Sequence, residues 1–224
     1  MQTTTMPNHA ARIDQQNPEY PTRLHDLADP PSAIYICGDI KLFKTPMIAI
    51  VGSRCASPAG LKNARFFAQA LSKAGLLVIS GLAKGVDGAA HQAALDTGPC
   101  HTTVAVLGTG VDIVYPRQNS SLSQTISQKG LLISEFPLGV GPKKWHFPRR
   151  NRIIAALALG VVVIEAADRS GSLITANLAA DLGREVFALP GPIDGPNSAG
   201  CHRLIQAGAK LVFKPNDILE ELHY

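Results

Sequence analysis

The chain has 224 residues, 46% of them hydrophobic, which is enough to bury one large core. Its formal net charge is only +4 at pH 7, so a surface that binds nucleic acid has to be a local patch and not the whole protein. The four cysteines have no CxxC spacing and no two histidines have a zinc-binding spacing, which predicts a reduced, cytoplasmic protein with no metal and no other cofactor.

The N-terminal part of the chain has no pattern of a secretion signal. Residues 1–20 lack a long apolar core, and apolar runs elsewhere are strand-length or interrupted by charge. Residues 1–45, with many prolines and turn residues, are interpreted as a tail and lead-in segment that packs on a single following domain, residues 46–224. We expect no membrane span.

Short apolar runs alternate with amphipathic stretches from Met47 onward. Runs without polar alternation are typical of strands covered on both faces, and helical spacers between them indicate βαβ units. The pattern predicts an α/β fold in which a single domain is built on a doubly wound, mostly parallel sheet. The runs are MIAIV (47–51), LLVIS (76–80), TVAVL (103–107), GLLIS (130–134), GVVVIE (160–165) and EVFAL (185–189).

Polar or glycine-rich loops follow these strands, at the edge where open parallel sheets bind their ligands. The first loop lacks GxGxxG and the second lacks GxxxxGK[ST], which argues against a nicotinamide dehydrogenase and a P-loop ATPase. For the second loop, a phosphate-binding loop or plain tight-turn chemistry remains. For Arg54 of the first loop, a phosphate contact is the preferred interpretation and a structural salt bridge is the alternative. The candidate residues are Gly52, Ser53 and Arg54 after the first strand, and Ser80, Gly81, Lys84 and Gly85 after the second.

A basic and aromatic cluster precedes the fifth strand. Its five cations, without a nearby acid, are interleaved with two aromatic rings, a combination that suits the phosphates and bases of single-stranded nucleic acid. The alternative is a solvated charged face, and Trp145 could equally fill the core. The cluster comprises Lys143, Lys144, Trp145, Phe147, Arg149, Arg150 and Arg152.

A turn of small residues follows the fifth strand and opens another helical pattern. Ser170, Gly171 and Ser172 stand at the predicted helix start, where free amides would point at an anion.

Four further polar residues admit two interpretations each. Asp87 and His91 are four apart on one helix face, and we expect them to pair with each other or with backbone. Glu135 and Glu165 both end strands and could act as a general acid and base, but with so many arginines nearby we favour a role in orienting them.

Six motifs follow one another along the chain, namely IVGSR (50–54), SGLAKGVDGAAHQAAL (80–95), TGVDIVYP (109–116), SEFPLG (134–139), FPRRNRIIAAL (147–157) and SGSLITA (170–176). Their joint order resembles the DNA-processing protein A family, DprA or Smf, from Tyr20 to about Ala209. The resemblance implies an extended Rossmann-like domain that binds single-stranded DNA without sequence preference, forms a homodimer and helps to load the RecA recombinase during natural transformation. Many members carry a small helical domain before this core and a winged-helix domain after it.

The resemblance also implies that loop glycines and Arg54 meet phosphates, that Lys144, Arg150 and Arg152 line the same pocket, and that Phe147 lies beside a base. The residues expected to contact the strand are Gly52, Ser53, Arg54, Ser80, Gly81, Lys84, Gly85, Lys144, Phe147, Arg150, Asn151, Arg152, Ser170, Gly171 and Ser172.

Two other functions remain open. One is an enzyme that cleaves a nucleotide N-glycosidic bond with Glu165 or Glu135, although the PGGxGTxxE motif of the phosphoribohydrolases is missing. The other is a nucleotide sensor, which would bind mononucleotides as well as longer strands.

Overall fold

A computed structural model describes residues 10–224. The strands of this part of the chain are β1 (Ala11–Asp14), β2 (Ala33–Gly38), β3 (Met47–Val51), β4 (Leu77–Ser80), β5 (Thr103–Val106), β6 (Leu131–Ser134), β7 (Ala158–Val163), β8 (Glu185–Ala188) and β9 (Lys210–Leu211). Its α-helices are α1 (Pro58–Lys73), α2 (Val86–Asp96), α3 (Ser120–Lys129), α4 (His146–Leu157), α5 (Gly171–Asp181), α6 (Ala199–Gln206) and α7 (Pro215–Glu221).

The strands form one sheet in the order β1-β2-β6-β5-β4-β3-β7-β8-β9. Strands β3 to β9 are parallel, whereas β1 and β2 pair antiparallel at one edge. Five of the six apolar runs predicted as strands contain one, and the sixth, residues 160–165, overlaps β7. The predicted α/β fold, a single domain on a doubly wound and mostly parallel sheet, is confirmed.

The central strands are apolar throughout because helices cover both faces of the sheet. Ile48 and Ile50 of β3 pack with the buried ring of Phe67 from α1, on the face that also carries α2 and α7. The alternate residues of β3, among them Ala49, pack with Ile153 of α4 on the face that carries α5 and α6. Burial on both faces removes the polar alternation that a half-exposed strand would show.

The lead-in segment belongs to the same sheet. Its strand β2 pairs with β6, and Tyr20 and Leu24 are buried in the core beside α4. The Tyr20 hydroxyl donates to the carbonyl of Pro31 at 2.7 Å, and Arg23 donates to the carbonyl of Ala158 at 3.1 Å. The sequence indicated a segment packed on the sheet, and the structure adds that this segment extends the sheet by two strands.

The order of the strands creates a crevice beside β3. From β3 the chain continues through β4, β5 and β6 on one side, then crosses to β7 on the other side and continues outward to β8 and β9. The loops that follow β3 and β7 therefore diverge at the carboxyl edge, and such a switch point is where open parallel sheets bind ligands.

No helix within residues 10–224 is long and apolar enough to cross a membrane. Over the same range, no three histidine, cysteine or acidic side chains come together as a metal site would require. The cysteines Cys37, Cys55, Cys100 and Cys201 are all free.

Candidate nucleic-acid interface

The cleft at the switch point has a volume of about 500 Å³. Loops after β3, β4, β7 and β8, the middle of α4 and the start of α5 enclose it, which brings together segments far apart in the sequence. A smaller neighbouring pocket of about 150 Å³ shares Arg54, Ala83 and Arg150 with it. We refer to the two together as the strand-end cleft.

The loop after β3 presents Arg54 to solvent. The preceding residue, Ser53, donates its backbone N–H to the backbone carbonyl of Glu165 at 2.8 Å, which links this loop to the end of β7. A Cβ on Gly52 would lie 2.9 Å from that same carbonyl oxygen, so the close approach of the two loops requires glycine there. Arg54 itself is exposed at the boundary of both pockets.

The loop after β4 is fixed by hydrogen bonds from the elements around it. The Asp87 carboxylate accepts from the amides of Gly81 at 3.1 Å and Ala83 at 3.4 Å, and Asn119 donates to the carbonyl of Leu82 at 3.0 Å. Leu82 has a φ of 55°, a left-handed conformation that surrounding contacts must hold in a non-glycine residue. Gly85 has a φ of 74°, and its Cα approaches the Ser53 carbonyl so closely that no side chain fits.

His91 completes this support as a neutral imidazole. Its Nε2 accepts from the Leu82 amide at 3.3 Å, and its Nδ1 lies 2.7 Å from the Thr103 hydroxyl. Burial, together with the charge of Arg150, lowers the pKa of His91 to about 3. Burial raises the pKa of Asp87, while Arg150 and the two amides act against that shift. The expectation that Asp87 and His91 bond with backbone is confirmed.

Arg150 forms the floor of the strand-end cleft. It is only 4% exposed, and its guanidinium donates to the carbonyls of Gly81 and Val106 and to the side chain of Asn151. Burial lowers the pKa of Arg150 to about 10, so it is still charged at neutral pH. Arg150 therefore contributes positive potential to the floor of the cleft. Its N–H groups that donate to Gly81 and Val106 stabilise the loop after β4 and the end of β5.

Arg152 does not lie in the strand-end cleft. Its guanidinium donates to the Glu135 carboxylate at 2.6 Å, and the same carboxylate accepts from Arg149 at 2.9 Å. Arg149 also contacts Asp29 of the lead-in segment. Residues two apart on an α-helix point to opposite sides, so Arg150 and Arg152 cannot line one pocket. The prediction that they act together is corrected, whereas the orienting role predicted for Glu135 is confirmed.

Glu165 also lies outside the lining of the cleft, but it contacts no arginine. It accepts from the Ser57 amide at 2.9 Å and from the Ser57 hydroxyl at 2.5 Å, at the N-terminus of α1. Asn197 donates to the same carboxylate at 3.4 Å. The arginine-orienting role favoured for Glu165 is therefore wrong, since this carboxylate stabilises the start of a helix instead.

Aromatic side chains line the smaller pocket. Phe147 lies 5.5 Å from Tyr115 between ring centres, and the guanidinium carbon of Arg54 lies 5.4 Å from the centre of the Phe147 ring. Lys84 lines this pocket as well. Lys144, which was predicted to line the same pocket as Arg150, is exposed shortly before α4 and belongs to the lining of neither pocket. Tyr115 was not predicted as a site residue, although its place after the third predicted strand was a usable signal.

The start of α5 forms the opposite wall. The Ser170 hydroxyl accepts from the Ser172 amide at 3.3 Å and caps the helix, and Asn151 donates to the Gly171 carbonyl at 3.3 Å. The N-terminal end of a helix favours an anion. Sequence reasoning missed several lining residues, namely Cys55 and Arg169 beside predicted site residues, Thr175 within α5, and Asn197 in the loop after β8.

Comparisons with known proteins identify relatives. The sequence profile of the family described as DNA recombination-mediator protein A matches residues 11–223. Protein Smf of Escherichia coli is 46% identical over 219 residues, which are 97% of this chain but 58% of that protein. The chain thus spans little more than half the length of this relative.

Two solved structures have the same fold over most of the chain. The structure of DNA processing protein A from Streptococcus pneumoniae has a TM-score of 0.91 at 46% identity and covers 96% of this chain and 75% of its own. A structure of DNA processing protein A from Helicobacter pylori, whose description concerns its single-stranded DNA binding mode, has a TM-score of 0.87 at 31% identity. It covers 99% of this chain and 98% of its own.

Proposed function

The chain belongs to the DNA recombination-mediator protein A family, and from that premise we propose that its strand-end cleft binds single-stranded DNA without sequence preference. The observation that carries the proposal is the juxtaposition of Arg54 and Phe147 at the mouth of the cleft. An exposed cation beside an aromatic face can hold a phosphate and a neighbouring base of any sequence. The Helicobacter pylori relative, described by its single-stranded DNA binding mode, supports the same assignment.

The proposed contacts to DNA come more from side chains than from loop amides. The amides of Ser53, Gly81 and Ala83 already donate to Glu165 and Asp87, so they have no free hydrogen for a phosphate. We propose instead that Arg54, Lys84 and Lys144 bind phosphates while Phe147 stacks on a base. Six other predicted residues line the cleft, namely Gly52, Arg150, Asn151, Ser170, Gly171 and Ser172. Ser80 and Gly85 line neither pocket and instead support the loops, Ser80 by donating to the Ile50 carbonyl and Gly85 by packing on Ser53.

We propose that the protein acts by binding and not by catalysis. Among the described residues that line the cleft, Asp87 is the one carboxylate, and it accepts hydrogen bonds from two backbone amides. Glu135 and Glu165, the candidates for acid–base chemistry, bind arginines and the start of α1. Release of free base from nucleoside monophosphates would favour the hydrolase instead.

The experiment is a titration of fluorescent oligo-dT of increasing length at two salt concentrations. If about four phosphates are neutralised, log K falls with log salt at a slope of about −3. Arg54→Ala and Lys144→Glu should both weaken binding, whereas Arg65→Ala, which removes an exposed cation from α1, is the matched control. Binding of mononucleotides that longer strands do not improve would favour a nucleotide sensor.

We also propose that the protein is a homodimer. At the edge strand β9, Leu211 is 44% exposed, and Phe213 just beyond it is 70% exposed. An unpaired strand edge with exposed apolar side chains is a site at which a second chain can pack. Sedimentation of the wild type and Phe213→Asp tests this, because a dimer that uses the edge dissociates in the variant.

The cellular role that we propose is to protect incoming DNA in the cytoplasm and to help load the RecA recombinase during natural transformation. The family description, a recombination mediator, supports it. The test is the assembly of RecA on single-stranded DNA with and without the protein. Assembly that the protein does not accelerate would contradict this role without affecting the proposed DNA-binding site.

A further inference from the structure

Trp145, the only tryptophan of the chain, lies in the open immediately before α4. It is 58% exposed, which is unusual for a side chain with so large an apolar surface. It therefore does not fill the core, which was one of the two interpretations of this residue.

Buried neighbours hold the indole in place. Trp145 makes edge-to-face contacts with Phe136, at 5.9 Å between ring centres, and with His146, at 4.2 Å. Phe136 and His146 are themselves buried and stack at 3.9 Å, and Nδ1 of His146 lies 2.9 Å from the Gly108 carbonyl. A ring that is fixed in this way loses little conformational freedom when a flat ligand stacks on its exposed part.

The same support leads into the strand-end cleft. A Cβ on Gly108 would lie 2.9 Å from the Phe147 ring and 3.6 Å from His146, so both side chains pack on this one glycine. Trp145 and Phe147 are two residues apart at the start of α4 and diverge there. The helix start thus presents Phe147 to the cleft and Trp145 to its outside.

The surroundings of Trp145 favour a polyanion over a protein partner. Lys143 and Lys144 are exposed directly before it, and residues 136–150 contain no acidic residue. Glu135, which precedes this segment, is paired with two arginines. A single aromatic ring beside two cations is the composition of a stacking site for nucleic acid, whereas protein interfaces have an apolar core with few charges.

We propose that Trp145 is a second stacking platform, on which a base of the strand lies after the strand leaves the cleft and passes around the start of α4. This inference rests on the proposed function, because the strand must first be held at Arg54 and Phe147. It assigns to the protein a longer binding site than the cleft alone provides, and it makes affinity depend on strand length within one protomer.

The fluorescence of the single tryptophan tests the proposal directly. Stacking of a base quenches the indole, so oligo-dT of about 20 nucleotides should quench it, whereas a strand of about six should bind with little quenching. Trp145→Ala should weaken binding of the long strand about 5- to 100-fold and leave the short strand nearly unchanged, and Trp145→Phe should keep much of the affinity. Phe66→Ala, at a 53% exposed ring on α1, is the matched control and should change neither.

Other outcomes separate this inference from the function on which it rests. If Arg54→Ala binds neither the short nor the long strand while Trp145→Ala binds both like the wild type, DNA binding at the cleft is supported and the stacking platform at Trp145 is wrong. If the wild type binds neither strand, the proposed function and the platform are both wrong. If Trp145→Ala and Trp145→Phe alter self-association and leave DNA affinity unchanged, Trp145 belongs to a protein contact and the proposal is overturned.

Discussion

The guanidinium carbon of Arg54 lies 5.4 Å from the centre of the Phe147 ring, although the two residues are 93 positions apart in the sequence. Arg54 follows β3, and Phe147 belongs to the first turn of α4, which follows β6. Because β3 and β6 run parallel, the segments after them lie at the same edge of the sheet. A cation at this distance is attracted by the ring, which orients the guanidinium of Arg54 before a phosphate binds. The strand-end cleft therefore combines charge and stacking before any ligand enters.

Arg54→Ala should remove one phosphate contact. We expect the affinity for oligo-dT to fall about tenfold and the slope of log K against log salt to become shallower by about 0.7, the single-strand value for one phosphate. Arg54→Lys keeps the charge but not the planar group over Phe147, and it should recover the slope better than the affinity. An unchanged slope in Arg54→Ala would show that this residue contacts no phosphate.

In contrast to Arg54→Ala, the substitution Arg152→Ala should lower stability without changing the salt dependence of DNA binding. Its guanidinium is bonded to Glu135 on the far side of α4, so its removal should lower the free energy of unfolding by about 1–3 kcal/mol and leave the salt slope as in the wild type. Glu135→Gln should destabilise similarly, because it leaves Arg149 and Arg152 without their carboxylate. Urea denaturation combined with the DNA titration measures both properties. A shallower salt slope in Arg152→Ala would return this arginine to the DNA-binding surface.

Gly85→Ala should loosen the contact between the loops after β3 and β4. The residue has a φ of 74°, and an added Cβ would collide with the Ser53 carbonyl. We expect a loss of at least about 1 kcal/mol in the free energy of unfolding and weaker DNA binding, since the collision displaces the loop that carries Arg54. Gly141→Ala is the control, because no atom lies within 4 Å of its added Cβ. Equal stability of both variants would contradict this account.

Most strands could be predicted from the sequence because helices bury both faces of the sheet and leave continuous apolar runs. The edge was not predictable in the same way. In β1 only Ile13 is buried, so this strand shows no apolar run, and β9 is only two exposed residues long. The prolines of the lead-in segment favoured turns, and the pairing of β2 with β6 depends on contacts remote in the sequence.

Site residues were predictable where they follow a strand directly, as Arg54 does. Arg152 was misplaced because a run of cations was treated as one surface, whereas the helical period sends Arg150 and Arg152 to opposite sides. Asn197 joins the cleft from the loop after β8, and only the packed structure brings it to Cys55 and Glu165. Local sequence thus predicted that the site lies at the carboxyl edge of the sheet, whereas only the three-dimensional packing shows which side chains line the cleft there.

Acid should destabilise the protein through His91. Its pKa is about 3 when folded and 6.5 in a model peptide, so between these values the unfolded chain binds more protons and stability falls as pH falls. From neutral pH to about pH 5, we expect a loss of about 2 kcal/mol from this residue. Asp87, whose pKa is raised by burial, acts in the opposite direction as pH falls, while Arg150 stays charged throughout.

The comparison with His91→Gln isolates this contribution. Glutamine does not titrate and can still accept from the Leu82 amide, so the difference between wild type and variant cancels the effects of the other groups. Urea unfolding at neutral pH and at about pH 5 should show a steeper loss for the wild type than for the variant. If the free energy of unfolding falls equally with pH in the wild type and in the variant, the pKa of His91 is not lowered on folding. In that case the assignment of His91 as a neutral acceptor for the Leu82 amide is wrong.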